Sequence, residues 1–301
     1  MKVDPIAEPS TPEWDGRDVA ALLDLAEVAP GRFRSQRSER NENGRIYGGQ
    51  LLGQALTAAA RTAPGDRPAC YLQFLFAAGG LPEQAIDYDV AALQDGKRFT
   101  SRNVRGAQAG RVVCDAGVSF ARAFEAPSHG RAAPADSGLA RDPDTLPGLA
   151  EIDAPEVRDV ERMLAYGYRE HPAIDLRLPF VDDVLRGDPL GPRVRFFIRV
   201  RRPLSDDPAL HAAAFAYISD YWINFAACIA HVRPSAPAKL YVASLNHAIW
   251  LHAAFRADGW LLFDCVSPRA AHGRGLATAR IYAQSGEMVP SATQECLLAP
   301  A

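Results

Sequence analysis

Gln50 to Pro64 reads QLLGQALTAAARTAP, and Asp220 to Pro234 reads DYWINFAACIAHVRP. Both segments run fifteen residues and stop at proline. Neither carries Asp, Glu, Lys or Arg between its first residue and Arg61 or Arg233. A helix uncharged on every side has no face for water and is enclosed by its own protein. The pair therefore predicts two buried helices, one in each half of a duplicated chain.

A second match extends the duplication. Ala107-Gln108-Ala109-Gly110-Arg111-Val112-Val113 aligns with Ala283-Gln284-Ser285-Gly286-Glu287-Met288-Val289. Each reads as a turn between two strand-like runs, Arg98 to Arg105 before the first and Leu276 to Tyr282 before the second. Gly stands where a hairpin needs positive φ. Each half thus predicts a helix followed by about four antiparallel strands. The halves span roughly 18–124 and 191–301, after an extension over 1–17. Between them, 125–190 is rich in Ala, Pro, Asp and Gly and predicts a long connection with one short helix near Glu156 to Tyr166. A buried helix wrapped by an antiparallel sheet is the hotdog arrangement. Two copies make an α+β double hotdog; a plain α+β duplication is the alternative.

Composition narrows the function classes. The 301 residues are 48% hydrophobic and 23% charged, as expected of a folded globular chain. Thirty-three Lys plus Arg against 36 Asp plus Glu leave a net charge of −3, too small to imply nucleic acid or an anionic membrane as partner. No stretch approaches 18 uninterrupted apolar residues, so no membrane-spanning helix is expected. The start of the chain, with Asp4, Glu8, Glu13 and several prolines, does not read as a signal peptide. Five cysteines (Cys70, Cys114, Cys228, Cys265, Cys296) have mostly apolar neighbours, which predicts buried thiols and a cytoplasmic location.

Duplication invites a comparison of polarity between the copies. Gln294 aligns with Val118 and lies in an apolar row with Ala292, Cys296 and Leu298 on one face of a strand. A buried amide without partners costs on the order of 1–3 kcal/mol. Polar groups present in one copy only predict a single site built in the second half. Asp220 aligns with Gln50 at the start of its helix. Asp is a favoured N-cap, and the helix dipole would hold it ionised. An ionised carboxylate in a buried cleft is also a usable general base, and the two roles are compatible. Ser244, His247 and His252 lie in a strand beginning at Leu240; alone, each is ordinary for a strand. The histidines, five apart, point to opposite faces and cannot share a metal. Gly117-Val118-Ser119-Phe120-Ala121 lacks the last Gly of a nucleophile elbow. Gly273-Arg274-Gly275 sits in a hairpin context, not at a strand-to-helix turn, so no dinucleotide cofactor is implied.

Six ordered segments resemble one family. They are Tyr47-Gly48-Gly49-Gln50-Leu51-Leu52-Gly53-Gln54-Ala55, Asp95-Gly96 with Phe99, Tyr217-Ile218-Ser219-Asp220, Ser244 through His252, Arg274-Gly275-Leu276, and Thr293-Gln294-Glu295. Together they are similar to the acyl-CoA thioesterase II family, bacterial TesB and its peroxisomal relatives. That resemblance implies a double hotdog, usually assembled into homo-oligomers, that hydrolyses acyl-CoA with no metal or cofactor. It implies an acid, a hydroxyl and an amide holding a water, which carry over onto Asp220, Ser244 and Gln294. Two of these are the positions where the copies diverge.

Backbone amides at Gly48-Gly49 are the expected oxyanion donors, with Gly49 the named candidate, because a helix start is an anion site. Trp222, Phe225 and Trp250 are candidates for the acyl pocket. Two departures stand out: Asn246 where the family usually has Asp, and Cys70 to Gly80, without the usual His-rich stretch ending in Arg-Pro-Gly. Two other readings remain, a hydratase on the same fold, for which no D-x-N-P-x-H stretch is present, and an acyl-CoA binding module without turnover.

Overall fold

The computed structural model describes residues 12, 14–148, 151–152, 171–182, 191–231 and 240–300. Twelve strands among them form one antiparallel sheet. The first half supplies β1 (Leu25–Ala29), β2 (Arg32–Ser35), β3 (Ala69–Phe76), β4 (Asp87–Asp95), β5 (Phe99–Gln108) and β6 (Arg111–Ala121). Then come β7 (Ile174–Arg177), β8 (Arg193–Val200), β9 (Leu240–Leu251), β10 (Leu261–Ala271), β11 (Arg274–Ala283) and β12 (Met288–Pro300). The spatial order is β1-β2-β4-β5-β6-β3-β9-β12-β11-β10-β8-β7. Read outward from the β3–β9 junction, the two sides repeat the same sequence of strands. This is the double hotdog expected from the repeat. The junction is a ladder in its own right, with Tyr71 opposite Trp250 and Phe74 opposite His247.

Both hairpins form where the aligned turns stand. Ala109 and Gly110 take φ of 46° and 79° between β5 and β6, and Gly286 takes 88° between β11 and β12. Helix α1 (Val19–Leu23) precedes β1, and α2 (Gly48–Ala60) crosses the inner face of the first half. Ten of the thirteen residues of α2 are buried. Its two glutamines are enclosed yet satisfied: Gln54 donates to the Leu22 carbonyl and accepts from the Tyr88 hydroxyl, while Gln50 accepts the Glu39 N–H.

The second half departs from the aligned expectation. Its long helix, α3, is Pro208–Ser219, and it ends where Asp220 begins. Asp207 caps it by accepting the Ala209 N–H at 2.9 Å, and Pro208 takes the first helical position. That Asp-Pro signal, followed by Ala-rich sequence of high helix propensity, sets the start twelve residues upstream of Asp220. Beyond Asp220 the chain turns, and the described residues before β9 form one short helix, α4 (Phe225–Cys228). Asp220 is therefore the C-terminal cap of a helix, with φ −80° and ψ −11°, and not an N-cap.

Helices α2 and α3 pack with almost no spacing. A Cβ on Gly49 would lie 2.2 Å from the Tyr217 carbonyl oxygen, and one on Gly53 would lie 2.9 Å from that of Ala213. Gly49 and Gly53 are one turn apart, as are Ala213 and Tyr217, so two glycines admit two carbonyls. This contact sets the end of α3 beside the start of α2.

Within the expected connection, Ile174–Arg177 is a strand paired with β8 at the sheet margin. The short helix expected near Glu156 to Tyr166 lies outside the described residues. Trp14, in the expected N-terminal extension, is buried against His171 and Tyr217. No described helix is long and apolar enough to cross a membrane.

Candidate active site

Asp220, at the end of α3, packs its carboxyl against the first turn of α2. A Cβ on Gly48 would lie 2.4 Å from Asp220 Oδ2, so the carboxyl occupies the space a side chain at 48 would need. The Gly49 N–H donates to the same carboxylate. One half thus brings the acid and the other brings a helix start to meet it.

Ser244 comes from β9, where the ladder to β12 is irregular. Glu295 pairs with Asn246 and Cys296 with Ser244, so Leu245 has no opposite number. This extra residue is a β-bulge. On a regular strand, residues three apart point to opposite faces. Across the bulge, Ser244 faces the site and His247 is buried on the same side. The bulge also sends Asn246 elsewhere: its Nδ2 donates to Glu295 Oε2 at 3.1 Å. The Asn246 departure therefore leaves the trio untouched.

Gln294, fully buried on β12, closes the arrangement. Its Nε2 donates to Asp220 Oδ1 at 2.5 Å and to Ser244 Oγ at 2.6 Å. The Ser244 hydroxyl donates to Asp220 Oδ1 at 2.9 Å. Acid, hydroxyl and amide form a closed triangle. Asn224, in the turn after α3, adds a fourth polar group: its Nδ2 donates to Ser244 Oγ at 3.3 Å. The sequence reading missed Asn224 and His247. For Asn224 the signal was an amide inside the otherwise apolar Trp222-Ile223-Asn224-Phe225-Ala226-Ala227.

Burial and hydrogen bonds oppose each other at Asp220. Desolvation raises its pKa from 3.8 to about 6, and donors Gln294, Ser244 and Gly49 hold it below what burial alone would give. The helix start expected beside this group is present, but it is that of α2. The group's own helix ends at Asp220. The group titrates near neutrality, where a general base works best.

A cleft of about 580 Å³ opens onto Asp220 and Ser244. Tyr47, Gly48 and Phe76 line it from the first half, with Asp220, Asn224 and Ser244 from the second. Ala78, Gly79 and Gly80, from the stretch that departs from the family pattern, also line it. The two expected tryptophans do not. Trp222 is 1% exposed and packs its ring against Phe196 and Phe225. Trp250 is 39% exposed and lies against Tyr71 across the β3–β9 junction. Odd and even positions of the bulged strand face opposite ways, which puts Trp250 on the side away from the helices. Phe225 is buried and likewise absent from the cleft lining. Among the described residues, no group of three or more His, Cys, Asp or Glu is placed to hold a metal.

The chain has counterparts among known proteins. Family models for the acyl-CoA thioesterase N-terminal domain and C-terminal domain match residues 37–121 and 107–298. The chain belongs to the acyl-CoA thioesterase family. Acyl-coenzyme A thioesterase 8 of Mus musculus is 29% identical over 286 residues, covering 92% of this chain and 87% of the relative. Acyl-CoA thioesterase 2 of Haemophilus influenzae is 27% identical over 280 residues, covering 92% and 95%. Among solved structures, the acyl-CoA thioesterase II TesB2 of Mycobacterium marinum superposes with a TM-score of 0.76. It is 33% identical and covers 94% of this chain and 99% of that one.

Proposed function

We propose that this thioesterase hydrolyses acyl-CoA through a water activated by Asp220, with Ser244 and Gln294 completing the catalytic trio. The carrying observation is the closed triangle of their polar atoms, two of whose residues line the cleft. The chain is an acyl-CoA thioester hydrolase, as its family membership and full-length relatives indicate. Neither Ser nor Gln takes a proton at neutral pH, so the proton acceptor is Asp220. Asp220 removes a proton from the water as its oxygen attacks the thioester carbonyl carbon. Ser244 and Gln294 hold the carboxylate in position for that water. The tetrahedral adduct then collapses, the carbon–sulfur bond breaks, and the proton passes to the departing CoA sulfur. Free fatty acid remains.

The Gly49 N–H serves the carboxylate in this scheme and not the oxyanion, which differs from the expected role. Gly48, at the open start of α2, faces the cleft, so the developing negative charge meets the positive end of that helix. The five free thiols fit a reducing cytoplasm, and assembly into homo-oligomers completes the proposal.

The test is release of free CoA from a panel of acyl-CoAs by wild type and Asp220→Asn. The variant should lose at least about a hundredfold, within the range for a general base. Equal rates would refute the role of Asp220. Binding without turnover in the wild type would leave an acyl-CoA binding module.

A further inference from the structure

Behind the trio a line of buried side chains runs into the core. Gln294 Oε1 points away from the cleft, and His247 Nδ1 lies 2.6 Å from it. On the far side of the ring, His247 Nε2 is 3.1 Å from Ser219 Oγ. The Ser219 hydroxyl also lies 2.8 Å from the Ala216 carbonyl oxygen. His247 is 1% exposed and Ser219 and Gln294 are 0% exposed, so no solvent competes for these bonds.

We propose that His247 is a positioning residue. Its Nδ1–H, donated to Gln294 Oε1, fixes which end of that amide faces Asp220 and Ser244. The proposal rests on the reading of Gln294 as a member of the catalytic trio.

A carboxamide is nearly symmetric in shape, and a half-turn exchanges its oxygen and nitrogen with little change in packing. The chemistry at its two ends is opposite. In the observed orientation Nε2 gives both of its protons away, to Asp220 and Ser244. Turned over, Gln294 would set an oxygen against the carboxylate and an N–H against the imidazole N–H. The first contact is repulsive outright, the second is repulsive while the ring proton stays on Nδ1, and burial magnifies the cost.

The ring's own protonation is constrained by its neighbours. Burial pushes the His247 pKa down to about 4, so the ring carries one proton at neutral pH. An amide oxygen can only accept, so that proton sits on Nδ1. Nε2 is then an acceptor, and the Ser219 hydroxyl is the donor within reach when its proton turns from the Ala216 carbonyl to the ring. The bulge at Leu245 makes the arrangement possible, because one strand presents Ser244 to the nitrogen end of Gln294 and His247 to the oxygen end.

Two conservative substitutions separate this role from simple packing. The Asn side chain places its N–H where Nδ1 stands, and the longer Gln places it where Nε2 stands. His247→Gln should lower kcat about ten- to a hundredfold, the range for a misplaced catalytic group, with KM within about twofold. His247→Asn should recover to within about threefold of wild type. His247→Gln combined with Gln294→Ala should be no slower than Gln294→Ala alone, since the histidine acts through the amide. In unaltered protein, ¹H–¹⁵N spectra of the imidazole should show the proton on Nδ1, a readout that needs no variant to fold.

A proton on Nε2 overturns the proposal. So do a His247→Gln enzyme at wild-type rate, equal losses in the Asn and Gln variants, or losses that multiply in the double variant. A Gln294→Ala enzyme at wild-type rate overturns the reading of the site itself, which is a separate result.

Discussion

The Gly49 N–H donates to the Asp220 carboxylate, joining the first turn of a helix in one half to the residue that ends a helix in the other. Neither half holds the acid in place alone. The acid depends on how closely α2 approaches α3, and Gly49 and Gly53 set that approach.

The pH dependence of turnover follows from the Asp220 environment. Only the ionised carboxylate accepts a proton from water, so kcat/KM should rise as pH passes through about 6 and level off above. Ser244→Ala removes a donor that lowers this pKa, so the rising limb should move to higher pH as the plateau falls. A limb that stays in place would show that Asp220 is not the titrating base.

Stability should respond in the opposite sense. A carboxyl whose pKa is raised by folding, from 3.8 to about 6, favours the folded state only while protonated. That contribution is complete below about pH 4 and is lost as pH rises through about 6. A shift of this size corresponds to about 3 kcal/mol at neutral pH. Asp220→Asn carries no charge, so its thermal stability relative to wild type should improve by up to that amount between pH 4 and pH 8. Parallel melting curves across that range would contradict the buried-carboxylate account.

Gly48→Ala tests the space beside the acid. The added methyl would meet Asp220 Oδ2 at 2.4 Å and the Phe76 ring at 3.0 Å. We expect the carboxylate to be displaced and kcat to fall about a hundredfold, the typical result of a misplacement near 1 Å. Gly49→Ala meets backbone instead, the Tyr217 carbonyl at 2.2 Å. It should cost about 1–3 kcal/mol of stability through overpacking, read as a lower melting temperature. If both variants matched wild type, the close approach would not govern the site.

The tryptophans give a contrast without any change in chemistry. Trp222→Ala empties a fully buried site and should cost about 3–5 kcal/mol of stability. Trp250→Ala, on the outer side of the sheet, should leave kcat and KM for acyl-CoA unchanged in the same assay. A large KM effect at Trp250 would place substrate where no cleft is seen.

Water attack and direct attack by Asp220 can be told apart by isotope. A single turnover in ¹⁸O-labelled water should place the label in the released acid and leave the Asp220 peptide unlabelled by mass spectrometry. Label in Asp220 would mean an anhydride had formed and been hydrolysed there.

Much of this was legible in the sequence because duplication supplies an internal control. The charge-free α2, the two hairpins and the polar Gln294 in an apolar row follow from patterns of burial, and β12 buries Ala292, Gln294 and Cys296 as the alternation requires. The alignment places the second helix from Asp220, whereas the Asp207-Pro208 start signal marks where α3 begins. A lone histidine in a strand is ordinary, and regular alternation along β9 would send Ser244 and His247 to opposite faces. A bulge depends on how two strands pair, and nothing local to Ser244-Leu245-Asn246 announces it. The tryptophans were misassigned for a related reason: large aromatic rings suit a ligand pocket and a packed core equally well.

Where the second copy has Gln294, the first has Val118, buried on β6. The pseudo-symmetric counterpart of the catalytic position is therefore sealed with hydrocarbon. Each chain should titrate with one equivalent of a non-hydrolysable thioether analogue, although its architecture is twofold. A duplicated chain can use one copy as scaffold for the other, and here the first half contributes the helix start that grips the acid while the second carries the acid, hydroxyl and amide.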